Sequence, residues 1–146
     1  MPYPAVTSSL QQIGWRDIAT SVVTVTEIPR GIERVRTSDV AMAEQMDRWL
    51  GGMLAAAEPQ ILVMETASAH LLGRMYETPA LRHFVITDPN AREQATGADL
   101  AIAAIAIAHA ASIATRNVRH FLQINACFPL PGLFDPVAQA WHVRPP

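Results

Sequence analysis

The 146-residue sequence has no lysine, a single cysteine and few charged residues, and each scarcity narrows what the chain can be. Cys127 has no second cysteine to pair with, which excludes an internal disulfide. The histidines and this cysteine show no spacing typical of a zinc site. All eleven basic residues are arginine and the net charge is −2, so binding of nucleic acid would need a local basic patch.

No stretch resembles a signal peptide, and no apolar run approaches the roughly 20 residues that cross a bilayer. Half of the residues are hydrophobic and 16% are charged, which favours a folded α/β domain over disorder. We therefore expect one domain over residues 1–146, located in the cytoplasm and without membrane contact.

The most informative stretch is an apolar run in the second half of the chain. Residues 100–111 are almost all Ala, Ile or Leu, interrupted by His109, and a helix that is apolar on every side is a buried helix. Thr96 and Asp99 stand three residues apart before the run, as the two members of a capping box do. The pattern predicts a core helix with an acid in its first turn.

A short strand over residues 112–115 is predicted to follow this helix and to end at Arg116 and Asn117. In open α/β sheets, the carboxyl ends of strands and the amino ends of helices converge on one edge, where ligands bind. The sequence therefore predicts that Asp99 and Asn117 lie near each other.

The first half of the chain gives a weaker pattern. Residues 18–25 are rich in β-branched side chains and predict a strand, and a helix over 24–35 is predicted to start with a capping box of Thr24 and Glu27. A helix capped by Asp39 is expected next, with an apolar stripe of Met42, Met46, Trp49, Met53 and Leu54. A strand over 61–64 and a helix over 66–77 are expected after it. The long connection over 78–95 is either a binding loop or a packed excursion. The tail over 128–134 contains prolines, and its aromatic side chains are expected to pack on the body of the domain.

Three of these segments resemble motifs of the PIN-domain nucleases, specifically the VapC-type toxins of toxin–antitoxin pairs. The acid that opens the Ala/Ile-rich helix at residues 98–104 resembles the third motif, and Thr115-Arg116-Asn117 with Phe121 just after it resembles the fourth. The acid followed by Arg-Gly-Ile over residues 27–32 resembles the second.

The resemblance implies a PIN-like three-layer α/β/α sandwich with a mostly parallel sheet. In that family an apolar strand that ends in the first catalytic Asp opens the chain, and it has no counterpart in this sequence. The prolines at positions 2 and 4 could not serve in a central strand, because they lack the N–H donors. We therefore expect an N-terminally shortened domain without its first strand. Either a gap or a partner chain should stand between the strand before Glu27 and the strand before Asn117.

The resemblance also implies a catalytic site formed by Glu27, Asp99 and Asn117. The two carboxylates would hold Mg²⁺ or Mn²⁺, which prefer hard oxygen ligands, and the metal would activate a water for attack on an RNA phosphate. Arg30, Thr115 and Arg116 are the candidates for binding the substrate.

The implied function is that of a metal-dependent endoribonuclease toxin that forms a homodimer and pairs with a cognate antitoxin. With the first acid absent, metal binding should be weaker and activity impaired. The same residues also fit a structural reading, in which Glu27 and Asp99 only cap helices and Asn117 only stabilises a turn. The alternative function is a non-catalytic PIN-like binding module, or an inactive remnant, that pairs with itself or with an antitoxin.

Overall fold

The computed structural model describes residues 13, 17–57, 60–87, 89–90 and 95–146. Residues 1–12, where the resemblance leaves the opening strand without a counterpart, lie outside these. Along the described chain the elements are β1 (Ala19–Ser21), α1 (Val22–Arg36), α2 (Val40–Ala57), β2 (Gln60–Leu62), α3 (Thr66–Glu77), a 3-10 helix (Pro79–Phe84), α4 (Ala98–Ala108), β3 (Ile113–Ala114), α5 (Val118–Cys127), β4 (Leu133–Asp135) and β5 (Ala140–Val143).

The strands form two small sheets rather than one continuous sheet within the described residues. Strand β1 pairs with β2 in parallel, and β3 pairs with β4 in parallel, while β5 adds to β4 in the antiparallel direction. Two of the three strand pairs are therefore parallel, which agrees with the mostly parallel sheet predicted from the sequence.

A cavity of about 650 Å³ separates the two sheets. It is bordered by β1 on one side and β3 on the other, and Ile102, Ile105 and Ala106 of α4 contribute to its wall. Strands β1 and β3 do not pair with each other within the described residues. That a strand is missing between them stays a prediction.

Helix α4 is the buried element predicted from its composition. Leu100, Ala104 and Ile105 are at most 1% exposed, and the helix packs against α1, α3 and α5. Helix α4 has neighbours on several sides, so apolar residues are favoured on all of its faces. This explains why the run contains almost no polar residue. His109 ends the helix half-exposed, with its Nε2 atom 3.3 Å from the carbonyl oxygen of Val63.

Two helix starts differ from the predicted capping boxes. Helix α1 begins at Val22 because the Oγ atom of Ser21 accepts the N–H of Thr24 at 3.0 Å, so the predicted strand over 18–25 shrinks to three residues and Glu27 falls in the second turn. Pro29 consequently lies inside the helix, where it removes one backbone hydrogen bond.

At α4 the capping position belongs to Gly97, not to Thr96. Gly97 adopts a left-handed backbone with φ of 71°, and the Thr96 hydroxyl accepts only the N–H of Ala98 at 3.3 Å. The predicted Thr96–Asp99 box is therefore wrong, since the intervening glycine turns the chain before the helix begins. Asp99 is left free to interact outside its own helix.

Helix α2 exposes much of its predicted apolar stripe. Asp39 caps the helix as predicted by accepting the N–H of Met42 at 2.9 Å, yet the side chains of Met42 and Trp49 are 47% and 58% exposed. Among the side chains of this helix that the structure describes, Ala43 is buried and Met46 is half-buried. Met42 and Trp49 are therefore surface residues, and the side chains of Met53 and Leu54 lie outside the described ones.

The remaining elements follow the sequence more closely. Helix α3 spans the predicted residues 66–77, and its start is fixed by a reciprocal box between Glu65 and Ser68. The connection after it is a packed excursion, because Leu81 and Phe84 of the 3-10 helix are buried. The tail packs on the body as predicted, but it does so as strands β4 and β5, which the prolines obscured. No helix in the described part of the chain has the length and apolarity to span a membrane.

Candidate functional site

Glu27, Asp99 and Asn117 come from three separate elements and line one pocket of about 370 Å³. Glu27 lies in the second turn of α1, which follows β1 directly, and Asp99 lies in the first turn of α4. Asn117 follows β3 and stands at the N-cap position of α5, where its side chain makes no capping hydrogen bond. The three elements thus bring their polar side chains to one edge, as the convergence of strand ends and helix starts predicts.

Asp99 is the centre of a small polar cluster at this pocket. The Nδ2 atom of Asn117 donates to its Oδ2 atom at 3.2 Å, and the Nδ1 atom of His120 lies 2.7 Å from the same oxygen. The side chains of Asp99 and His120 are 26% and 46% exposed, so both can be reached from solvent. The predicted proximity of Asp99 and Asn117 is confirmed, and a histidine joins them.

His120 is a member of this cluster that sequence reasoning missed. It follows Asn117 by three residues in α5, the spacing that places two side chains on one helix face. The rings of His120 and Phe84 pack at right angles with centroids 5.3 Å apart, and Phe84 is itself buried. The spacing of Asn117 and His120 at i and i+3 could have indicated that His120 joins the cluster. Nothing in the sequence indicated that Phe84 packs beside His120.

Gly97 controls how Asp99 reaches the pocket. Its φ of 71° is strained for any residue with a side chain, and an added Cβ atom would lie 3.1 Å from Cγ1 of Val85 and 3.4 Å from Cε1 of Tyr76. The N–H of Gly97 is fixed by the carbonyl oxygen of Phe84 at 2.9 Å. This turn sets the start of α4, where the positive end of the helix dipole favours the Asp99 carboxylate.

Glu27 has a different environment from Asp99. Its carboxylate forms an ion pair with Arg30, one helical turn further along α1, and the two side chains are 36% and 43% exposed. Arg30 is not part of the pocket wall, whereas Arg34, another turn along, is. The α1 side of the pocket therefore presents one carboxylate and one guanidinium.

Thr115 and Arg116, the other predicted substrate-binding residues, lie outside the pocket wall. The Thr115 hydroxyl accepts the N–H of Asn117 at 3.0 Å, which fixes the backbone where Asn117 begins α5. Arg116 has an electrostatic effect on Asp135 of β4. The backbone N–H groups of Ala138 and Val137 lower the pKa of Asp135, and the charge of Arg116 lowers it further by a smaller amount.

The polar groups of the pocket suit a weakly held hard cation. Glu27 and Asp99 offer carboxylate oxygens and Asn117 an amide oxygen, and Mg²⁺ accepts such ligands while keeping several waters. Across the residues that the structure describes, no group of three or more His, Cys, Asp and Glu side chains is placed to hold a metal ion. The pocket therefore offers two carboxylates and one amide from separate elements, and a multi-carboxylate cage is absent from the described residues.

Comparisons with known proteins bear on the fold. No family model and no curated protein matches the sequence. A solved structure described as FitAB bound to an IR36 DNA fragment contains a chain that is similar at 22% identity, with a TM-score of 0.64 over 97% of this chain and 89% of that one. This likeness, together with the parallel strand pairs and the helices between them, gives the chain the PIN-like α/β fold predicted from the sequence.

Proposed function

We propose that this chain is a metal-dependent endoribonuclease of the VapC type, a toxin that cleaves RNA in the cytoplasm and is paired with an antitoxin. One observation carries the proposal: Glu27, Asp99 and Asn117, which are distant in sequence, line a single pocket. Neither of the two carboxylates occupies the N-cap position of its helix. Ser21 and Gly97 occupy the capping positions instead.

The proposed cation, Mg²⁺ or Mn²⁺, would be held by Asp99 and Glu27, with Asn117 as a third oxygen donor. When bound, it would supply an activated water and positive charge for the phosphate. Two carboxylates leave most of the coordination to water, which predicts weak affinity and slow cleavage.

The protein's own side chains have distinct roles in this proposal. Asn117 holds the Asp99 carboxylate by the hydrogen bond from Nδ2, so the ligand keeps one orientation. Arg34 in the pocket wall offers charge to a phosphate. Arg30 neutralises Glu27 through their ion pair, and substrate phosphate would compete for the same guanidinium.

A specific observation also favours the non-catalytic alternative, a PIN-like module that pairs with itself or with an antitoxin. The hairpin of α1 and α2 exposes Val40, Met42 and Trp49, which are 56%, 47% and 58% exposed. The similar solved chain belongs to FitAB, a complex on DNA. Apolar side chains grouped on one exposed helix are typical of a surface that binds another protein.

Asp99→Asn tests the proposed activity. The substitution keeps the size of the side chain and removes its charge. Loss of a residue that only orients a metal ligand typically costs about 10–100-fold in activity, so removal of a ligand itself should reduce cleavage at least about 100-fold. The full chain would be incubated with single-stranded RNA and Mn²⁺, and cleavage followed on gels. Thermal unfolding with and without Mn²⁺ would report binding of the ion.

Asp135→Asn is the matched control, because it changes the same residue type outside the pocket wall. The proposal requires cleavage and a Mn²⁺-dependent rise in Tm for the native chain and for this control, with both lost in Asp99→Asn. A native chain that binds Mn²⁺ without cleaving RNA would support the non-catalytic alternative. An equal Mn²⁺ response in the native chain and in Asp99→Asn would overturn the metal site.

A further inference from the structure

Three polar atoms of the candidate site lie within hydrogen-bond distance of one another. The Nδ1 atom of His120 is 2.7 Å from Oδ2 of Asp99 and 2.7 Å from the side-chain nitrogen of Asn117. That nitrogen is 3.2 Å from the same Asp99 oxygen. We refer to these three atoms as the polar triangle. The proposed function uses Asp99 and Asn117 but gives no role to His120.

Protons alone cannot satisfy the polar triangle. The ionised Asp99 carboxylate only accepts and the Asn117 amide nitrogen only donates, whereas Nδ1 of His120 does one or the other according to its tautomer. If Nδ1 carries a proton, two donors face each other at the Asn117 contact. If it does not, two acceptors face each other at the Asp99 contact. A flip of the Asn117 amide only moves this conflict, because its oxygen and the Asp99 oxygen are then both acceptors.

A cation removes the conflict. With the Asn117 amide flipped and Nδ1 of His120 unprotonated, all three side chains present a lone pair. Ligands that lie roughly 2.1 Å from an ion at right angles to each other are about 3 Å apart. The sides of the polar triangle, 2.7, 2.7 and 3.2 Å, lie on both sides of this value. The spacing therefore suits three adjacent ligands of one ion.

The surroundings of the polar triangle hold its members in place. The ring of His120 packs at right angles on that of Phe84, which is 6% exposed. The Thr115 hydroxyl fixes the backbone of Asn117, and α5 carries both Asn117 and His120. Ligands that are ordered before the ion arrives lose little conformational freedom when they bind it.

We infer that His120 is a ligand of the proposed cation site and makes this site select a first-row transition-metal ion over Mg²⁺. The inference rests on the proposed function and adds one nitrogen to its oxygen donors. Imidazole nitrogen is a common ligand of transition metals, whereas Mg²⁺ is held by oxygen. Affinity should therefore rise from Mg²⁺ to Mn²⁺ and again to Co²⁺, which follows Mn²⁺ in the general order of divalent ions.

The size of the ligand set agrees with the rest of the structure. The polar triangle contains one carboxylate and one imidazole, and an amide is its third member. It is therefore compatible with the absence, among the described residues, of any group of three His, Cys, Asp or Glu side chains placed to hold a metal ion. Water would complete the coordination.

Isothermal titration calorimetry of the full chain without a histidine tag would measure the dissociation constants of Mg²⁺, Mn²⁺ and Co²⁺. For the native chain we expect the constants to fall in that order. His120→Asn replaces the imidazole by an amide that can still donate to Asp99. It should weaken Co²⁺ binding at least about tenfold and change Mg²⁺ binding by less than about twofold.

His83→Asn is the matched control, because it makes the same change at another histidine of the pocket wall. The Nε2 atom of His83 pairs with Oε1 of Gln123 at 3.0 Å rather than with Asp99, so all three dissociation constants should stay unchanged. Equal weakening of Mg²⁺ and Co²⁺ in His120→Asn would mean that His120 only orients Asp99, and the inference would be overturned. Equal losses of Co²⁺ affinity in the two variants, or no binding of any ion by the native chain, would also overturn it.

Electron spin-echo envelope modulation of the Mn²⁺-loaded chain tests the ligand directly. A coordinated imidazole nitrogen should modulate the echo in the native chain and in His83→Asn, and this modulation should be lost in His120→Asn. Mn²⁺ binding without nitrogen modulation in the native chain would contradict the inference. Circular dichroism would confirm folding, and if His120→Asn does not fold, His120→Gln and the native spectrum decide the question.

These measurements separate the inference from the proposed activity. Selectivity that depends on His120, in a chain that does not cleave RNA, would support the nitrogen ligand and contradict the endoribonuclease. Metal-dependent cleavage with a selectivity that His120→Asn leaves unchanged would support the endoribonuclease and overturn the nitrogen ligand.

Discussion

The chain has two regions that are packed very differently. The C-terminal region, residues 66–146, contains every member of the main core cluster, including Leu100, Phe121 and Ile124. The N-terminal region, residues 17–62, contributes only Ile32 and Ala43 to the buried hydrophobic side chains among the described residues. The C-terminal region is stabilised by burial of apolar surface. The N-terminal region depends on contacts between its own helices and on the packing of α1 against α4.

This difference matters for the candidate site because the site spans the two regions. Asp99 and Asn117 belong to the packed C-terminal region, whereas Glu27 is carried by α1 of the N-terminal region. The separation of the two carboxylates therefore depends on how α1 packs on α4. The cavity between the two sheets lies at the same junction, since Thr24 of α1 and Ile105 of α4 both line it.

The largest expected effect comes from truncating matched isoleucines in the two regions. Ile124 and Ile32 are 0% and 1% exposed. Ile124→Ala should lower the free energy of unfolding of the whole chain by roughly 2–5 kcal/mol, because the tightly packed cluster cannot collapse around the lost methyl groups. Ile32→Ala should lower it less, since the thinly packed surroundings can relax.

Chemical denaturation measures the global loss, and amide hydrogen exchange shows where it occurs. We expect Ile32→Ala to speed exchange mainly in α1 and α2 and to leave α4 protected. Ile124→Ala should speed exchange in both regions together. Equal global losses with equal exchange profiles would mean that the two regions unfold as one unit, and the comparison would fail.

The packed region is also the one that the sequence predicts best. Helices α3 and α4 lie close to their predicted bounds because their signals are local. Glu65 and Ser68 mark the start of α3, and the run of Ala, Ile and Leu in α4 is typical of a buried helix. The meeting of Asp99 with Asn117 was predictable for a related reason. Both stand where a helix starts or a strand ends, and such points converge in an α/β fold.

What could not be predicted depends on contacts between distant residues. Val22, Val23 and Val25 have β propensity, yet a single hydrogen bond to the Ser21 hydroxyl starts a helix there instead. Strands β4 and β5 are too short to show an alternating pattern, and they exist because β3 supplies a ladder partner from an earlier part of the chain. The contact of His120 with Asp99 spans 21 residues and has no local signature.

A smaller effect is expected from removing charge in the N-terminal region. Arg36 joins α1 to α2 through an ion pair with Asp47, and it also pairs with Glu33 within α1. Hydrogen bonds to these two carboxylates raise the pKa of Arg36. Arg36→Gln should lower Tm slightly at low ionic strength. The difference should vanish at about 1 M salt, where exposed charges are screened within roughly 3 Å.

Arg48→Gln provides the comparison within α2. Arg48 lies 4.0 Å from Glu44, and both side chains are more than half exposed, so this substitution should leave Tm unchanged at any salt concentration. If the two variants behave alike, the link between α1 and α2 is not electrostatic, and the apolar contacts of the hairpin alone hold it together.

The smallest expected effect lies in the turn between β4 and β5. Asp135 accepts the N–H groups of Val137 and Ala138 at 2.8 and 3.0 Å, and these bonds lower the pKa of its carboxyl. A carboxyl whose pKa is lower in the folded than in the unfolded chain stabilises the fold at a pH above the unfolded value. That contribution is lost as the pH falls through the folded value.

Asp135→Asn keeps an oxygen that can accept the same N–H groups but removes the charge. The variant should therefore be slightly less stable than the native chain at about pH 7. The difference should shrink as the pH falls below the unfolded pKa and through the lower folded pKa, because the carboxyl then becomes protonated in both states. Thermal unfolding across this range measures it. Since the turn belongs to the packed C-terminal region, its loss should leave exchange in α1 and α2 unaltered. A difference that stays constant across the whole range would contradict the prediction, because the charge of Asp135 could then not be its cause.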